Sequence, residues 1–346
     1  GPHDVFLPLA LASGAGVSLM TNVAIAFPRN AIHLAHAAWD LHTLSGGRFT
    51  LGLGSQVRAH VERRFGADFD DPVGRMRDTV DAVRAIFATW QDGAPLDHRG
   101  PYRTHTLMTP MFTPPTGPWA PPPVVVGGLG PRMTEMAAER ADGLAVMAVT
   151  SERWFTEHTL PAVARGLERR DPTAGPFELL PELIVCAGRD EAELAAADTG
   201  CRALLGFYAS TPAYRPVLEV EGYGDVQPEA RRLTREGRWD ELSSLIDDDL
   251  LARICVRGTP AEVGAAISRR YAEHARRVAV YLPKCVEAVA TFFGASAAGG
   301  VFVPVNPVLK APQVAHVVRD SGARILVTSA GRLAAIGTGF RTRVAG

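Results

Sequence analysis

Residues 17–56 limit the fold more than any other part of this chain. Val17, Leu19, Val23 and Ile25 are aliphatic and run up to Pro28, which predicts a buried strand. Asn30 is a ready cap for a helix on which Leu34, Ala37, Leu41 and Leu44 recur at helical spacing. Gly46 and Gly47 stop that helix where a left-handed residue is needed. Phe49 to Gly54 then predicts a second apolar strand that ends in Gly54-Ser55-Gln56. Strand, helix and strand over this length make a right-handed βαβ unit with parallel strands.

The rest of the chain keeps alternating. After a polar connection over 57–72, MRDTVDAVRAIFATW (76–90) is an amphipathic helix with Val80, Val83, Ile86 and Phe87 on one face. Residues 96–123 are proline-rich and aromatic, a long loop of the kind that lines sites or makes a surface excursion. Strands are expected at 123–126, 144–149, 179–187 and 277–282, and helices at 134–140 and 151–169. Residues 190–237 read as mostly helical with an interruption at 210–214. Thr259-Pro260-Ala261-Glu262 opens a further helix, with Thr259 as cap. Near the N-terminus, residues 3–13 read as a loop entering a short apolar helix.

Composition removes several function classes. A formal charge of −1 gives no electrostatic case for nucleic acid or an anionic membrane. Cys186, Cys201, Cys255 and Cys285 lack CxxC spacing, which fits a reducing cytoplasm better than a disulfide framework. No apolar run reaches membrane-spanning length. His33, His36 and His42 share a helix without a HExxH pattern, so packing or solvent is their expected place and no metal site is expected.

Leu44-Ser45-Gly46-Gly47-Arg48-Phe49, followed by Gly52-Leu53-Gly54-Ser55, resembles the signature of luciferase-like monooxygenases. These are flavin- or deazaflavin-dependent TIM-barrel oxidoreductases, and the resemblance is nearest to those using coenzyme F420. It spans residues 3–282. It implies an α/β fold, a (β/α)8 barrel of the luciferase-like type, with hydride passing between F420 (FMN as the alternative) and a small organic substrate. The chain opens Gly-Pro-His without methionine, and the resemblance would put a first β-α-β ahead of residue 3. The expectation is therefore a fragment whose barrel domain, 1–282, is incomplete at its N-terminus. The class leaves room for a homo-oligomer.

A second resemblance starts near the eighth strand. Tyr281-Leu282-Pro283-Lys284, the run from Gly299 to Pro307 (GGVFVPVNP) and Asp320-Ser321-Gly322-Ala323-Arg324-Ile325-Leu326-Val327 are similar to the N-terminal part of AMP-forming acyl-CoA ligases. The likeness covers about 277–332 and lacks that family's phosphate loop, so ligase activity is not implied. Residues 283–346 are expected to be a ligase-like α/β fragment, either a loosely attached lobe or a donor of strands 301–305 and 324–328 to the ring. An inactive truncated chimera and a ligase remnant are the alternatives to the oxidoreductase.

The luciferase-like resemblance also implies site residues. Thr21, Asn22 and Val23 fall on the family's bulged strand, with Asn22–Val23 in the place of its non-proline cis peptide. Ser55 follows two glycines that let a flat ring approach, and its hydroxyl can bond a ring heteroatom. Gly127, Gly128, Leu129, Gly130, Pro131 and Arg132 lie between a strand and a helix, a plausible phosphate cradle that lacks the third glycine of a dinucleotide fingerprint. His3 is the nearest match to the family's catalytic histidine. Related deazaflavin enzymes often carry an acid two residues beyond the serine, where this chain has Val57.

Overall fold

The computed structural model describes residues 4–271, 273, 274 and 279–281, the last three as backbone. Two compact units divide the chain, one of Gly1–Leu11 with Leu19–Leu282 and one of Ala12–Ser18 with Pro283–Gly346. The described part of the second unit contains one 3-10 turn, Ser13–Ala15. His3 and the acyl-CoA ligase-like residues 283–346 lie outside the described residues.

The first helix is α1 (Leu7–Ala12), and strands alternate with helices from there. β1 (Leu19–Met20) and β2 (Ala24–Ile25) lead into α2 (Ala31–Leu44) and β3 (Phe49–Gly54). α3 (Arg58–Arg64), α4 (Pro72–Asp92) and the hairpin β4 (His98–Arg99) and β5 (Thr104–His105) come next. β6 (Val124–Gly128), α5 (Pro131–Arg140), β7 (Gly143–Val146), α6 (Glu152–Trp154) and α7 (Leu160–Leu167) then precede β8 (Glu178–Ala187). A helical insertion holds α8 (Glu191–Ala209), α9 (Arg215–Val220), α10 (Val226–Arg235) and α11 (Asp248–Ile254). β9 (Val256–Gly258), α12 (Pro260–Tyr271) and β10 (Ala279–Tyr281) close the described chain.

Every strand pair outside the β4–β5 hairpin is parallel, in the order β1-β3-β6-β7-β8-β10, with β2 also on β3 and β9 also on β8. Parallel strands joined by helices must bury both faces. The outward face carries Leu51, Leu53, Val124, Val126, Leu144 and Val146, all 1% exposed or less. The inward face carries Val125, Ala145 and Leu180, which form one cluster with Met20 of β1. Met20 reaches residues on β6, β7 and β8 only because the sheet is curled. The architecture is an α/β TIM-type barrel.

Local chemistry explains most boundaries. Asn30 accepts from the Ile32 N–H and caps α2, and the Gly46 and Gly47 φ angles of 66° and 80° end it. Asp71 caps α4 from a left-handed conformation, followed by Pro72 at the first turn. Thr259 and Glu262 form a reciprocal capping box on α12. Trp39, Phe87 and Trp90 interlock where α2 meets α4, with ring centroids 5.4–6.2 Å apart.

Several sequence expectations change. The first strand is not continuous over 17–25 but broken into β1 and β2, because the chain kinks at residues 21–23. The buried face of α2 is Leu34, Ala35, Ala38, Trp39, Leu41 and His42, while Leu44 is 60% exposed. α3 stands in the polar connection, the loop after Leu96 carries the β4–β5 hairpin, and the helix expected over 151–169 contains a π-helical stretch, Phe155–Thr159.

Candidate active site

In this fold reactive groups gather at the C-terminal ends of the strands. Inward-facing positions of β3 and β6 are Gly52, Gly54 and Gly127, and the space their missing side chains leave is taken by residues 21–23: a Cβ on Gly52 would stand 1.9 Å from the Thr21 carbonyl oxygen. A Cβ on Gly54 would stand 2.3 Å from Val23 Cγ2, and one on Gly127 would stand 3.2 Å from Val23 Cγ1. Val23 thus lies across both glycines as a half-buried apolar shelf.

The kink that delivers Val23 is fastened by Thr21. Its hydroxyl donates to the Gly52 carbonyl at 2.7 Å and accepts from the Gly52 N–H at 2.8 Å. Thr21 is 1% exposed, so this hydroxyl serves the scaffold. The Asn22–Val23 peptide is cis, at the position the resemblance implied. Asn22 is exposed at the mouth, with its side chain in hydrogen-bonding reach of Glu182 on β8.

The remaining expected residues divide. Ser55 is half-buried at the end of β3, and its hydroxyl donates to the Gln56 carbonyl at 3.2 Å. Gly127 faces the lumen. Gly128 faces the other way, and a Cβ there would meet Leu144 Cδ1 at 3.1 Å and Met133 Cγ at 3.3 Å. Leu129 is half-buried and packs against the cluster under the helical insertion. Gly130 caps α5 without a side-chain bond, and a Cβ there would find no atom within 4 Å. Pro131 occupies the first turn. Pro131 has no N–H and the Thr134 N–H bonds the Gly130 carbonyl, so the first turn of α5 offers the N–H groups of Arg132 and Met133, the geometry that receives phosphate. Arg132 is exposed and its charge acts on Asp71 at the start of α4.

The histidines of α2 belong to the scaffold or surface. His33 is exposed, and His36 packs on Trp90 with centroids 4.6 Å apart. His42 is buried with its ring nitrogens each 3.0 Å from a carbonyl, Phe49 O and Ala120 O. Among the described residues no group of three or more His, Cys, Asp or Glu could hold a metal ion.

Sequence reasoning missed Glu182 and Tyr214. Glu182 sits two residues beyond lumenal Leu180 on β8, so the strand's alternation turns it inward beside Asn22. Burial holds its carboxyl above the ordinary value of 4.5. Tyr214 lies on the 3-10 turn Pro212–Tyr214. Burial and the Glu182 charge both raise its phenol, and its ring meets Tyr208 edge-on at 5.7 Å. The available signal was a carboxylate inside the apolar run LLPELIVCA, since an unpaired acid is rarely enclosed.

Comparison with known proteins agrees with this fold. Residues 1–277 match the family described as luciferase-like monooxygenase. The chain belongs to that family. An uncharacterized protein of Mycobacterium tuberculosis (strain ATCC 25618 / H37Rv) is 46% identical over 270 residues, covering 78% of this chain and 79% of the relative. A second protein of that organism, provisionally named a coenzyme F420-dependent oxidoreductase, is 31% identical over 271 residues, 72% of this chain and 74% of its own. Among solved structures, the coenzyme F420-dependent tetrahydromethanopterin reductase of Methanopyrus kandleri superposes with a TM-score of 0.64 at 19% identity, covering 80% and 81% of the two chains. Residues 261–343 are similar to AMP-binding enzymes, a match that falls mostly outside the described residues. No helix among the described residues is long and apolar enough to cross a membrane.

Proposed function

We propose that this luciferase-like chain is an oxidoreductase that binds coenzyme F420, with FMN as the alternative, and passes hydride between it and a small organic substrate. The observation that carries the proposal is the lumenal shelf of Val23 over Gly54 and Gly127. A flat tricyclic ring needs an apolar plate, and glycines at three inward positions let residues 21–23 lie close enough against β3 and β6 to form one. The open N-terminus of α5 would take a phosphate of the cofactor tail, with its backbone N–H groups as donors. Thr134, buried in the first turns of that helix, has a hydroxyl without a partner among the described residues and adds one polar atom there. Ser55 and Asn22 would bond polar edges of the ring.

The bound cofactor supplies the hydride chemistry, and the protein supplies position and dryness. Val23 fixes the plane of the ring, Thr21 holds Val23 in place through Gly52, and the walls of β6, β7 and β8 exclude water from below. F420 is placed before FMN because of the name of the M. tuberculosis relative at 31% identity. We further propose that residues 1–282 act as the enzyme domain, with 283–346 as a separate ligase-like segment that takes no part in the chemistry.

Titration of the purified chain with F420 and with FMN, followed by cofactor and tryptophan fluorescence, tests the proposal. Saturable binding to one of them supports it. A folded protein that binds neither overturns it in favour of an inactive chimera.

A further inference from the structure

We infer that Glu182 is an acid–base residue of this site, carrying a proton that it delivers to the oxygen of a carbonyl substrate at the barrel mouth. The inference rests on the cofactor reading above and adds a residue to it.

Register comes first. Leu180 closes the lumenal floor with Val125, Ala145 and Met20. Glu182 is the next inward residue toward the C-terminal end of β8 and is half-buried. Asn22, the residue before Val23, has its side chain in hydrogen-bonding reach of Glu182. Tyr214 approaches from the helical insertion, backed by Tyr208.

The charges around Glu182 match a proton carrier rather than a structural ion pair. Among the described residues, Asn22 and the Tyr214 phenol interact with it, and no Arg or Lys is paired with it. By contrast Glu139, Glu193 and Asp198 are each paired with an arginine. Desolvation favours the neutral acid. Val57, just beyond Ser55, offers no acid of its own.

In the reducing direction the substrate carbonyl carbon receives hydride, with its electron pair, from the reduced deazaflavin or flavin. The C=O π pair becomes the O–H bond to the proton released by Glu182. The substrate ends as an alcohol, the carrier loses two electrons, and Glu182 is left as carboxylate until water returns a proton. Oxidation of an alcohol runs the same steps backward, with Glu182 carboxylate as base.

The test combines two readouts. Infrared titration of the apoprotein, subtracted against Glu182→Gln, should show a carboxylic acid band that persists above the ordinary Glu value of 4.5. The loaded enzyme is then assayed with acetone, cyclohexanone and benzaldehyde as probe carbonyls. Wild type should reduce at least one, with kcat present at low pH and lost as pH rises through the value found by infrared. Glu182→Gln should lower kcat about 100-fold with little change in KM and no such limb. Glu182→Asp should restore a titrating limb at reduced kcat, and equal melting temperatures would exclude a folding defect.

Loss of the infrared band in the ordinary carboxylate range overturns the inference. So does a Glu182→Gln variant with the wild-type pH profile, or a cofactor-loaded wild type that reduces none of the three probes. Failure to bind either cofactor is a different result, because it removes the cofactor reading and the acid–base role with it.

Discussion

At the scale of single residues, glycines at opposite ends of the barrel do unlike work. Gly46 and Gly47, from the run that carries the family resemblance, lie at the N-terminal end of β3. Gly47 has a φ of 80°, and a Cβ there would fall 2.3 Å from Trp119 Cδ1. Ser45, fully buried, accepts from the Arg48 N–H and donates to the His42 carbonyl. This end of a barrel reads as stability, so the most recognisable motif in the sequence is scaffold. Gly47→Ala should destabilise by about 1–3 kcal/mol in urea unfolding, with unchanged cofactor affinity in the folded fraction. Gly127 is at the working end. Gly127→Val should leave the barrel folded and weaken cofactor binding about 10–100-fold, the effect of overfilling a fitted space. Normal affinity in the Gly127→Val variant would remove the shelf from the site.

Among elements, the outer layer is laced by charge. Arg77 of α4 grips Glu139 of α5 through two bonds of 2.7 and 3.0 Å, and Arg169 just beyond α7 reaches both Glu135 and Glu139. The Arg77 guanidinium holds the Glu139 carboxyl down at about 2, against an ordinary value of 4.5. A depressed carboxylate contributes its full stability above the unfolded value and loses it as pH falls through the folded one. Thermal stability should therefore drop from pH 4.5 toward about 2, and Glu139→Gln should flatten that slope. The variant should cost about 1–2 kcal/mol at neutral pH, allowing for the partial exposure of Arg77. An unchanged slope would mean that other carboxylates dominate acid unfolding.

The elements also show what a sequence can disclose. The βαβ unit was legible because Asn30, the apolar spacing of α2 and Gly46-Gly47 act locally, within one turn of where they stand. The break between β1 and β2 was not legible from periodicity, because Thr21 bonds Gly52, 31 residues away. Leu44 fits the helical spacing but is the last residue of α2, where the stripe has already run past the core. Gly127 and Gly128 look equivalent in sequence, and only the strand's alternation separates lumen from helix layer. Glu182 was hidden for a similar reason, since its neighbours Asn22 and Tyr214 come from distant segments.

For the whole molecule, the account makes one structural demand. Curling a parallel sheet brings β2, β3, β6 and β8 to a common mouth, where the Val23 plate and the Glu182 carboxyl face the same space. The β4–β5 hairpin and the long loop around it lie elsewhere: His98 binds Asp78 of α4 at 3.0 Å, and Trp39 donates to the Pro115 carbonyl at 3.1 Å. That loop braces the outer helices rather than forming the shelf. The most direct measurement is a crystal structure of the chain soaked with whichever of F420 or FMN it binds. The account predicts the ring lying on Val23 above Gly54 and Gly127, its phosphate at the N-terminus of α5 and one edge toward Glu182. A ring bound anywhere else, with the Val23 shelf left bare, would contradict it.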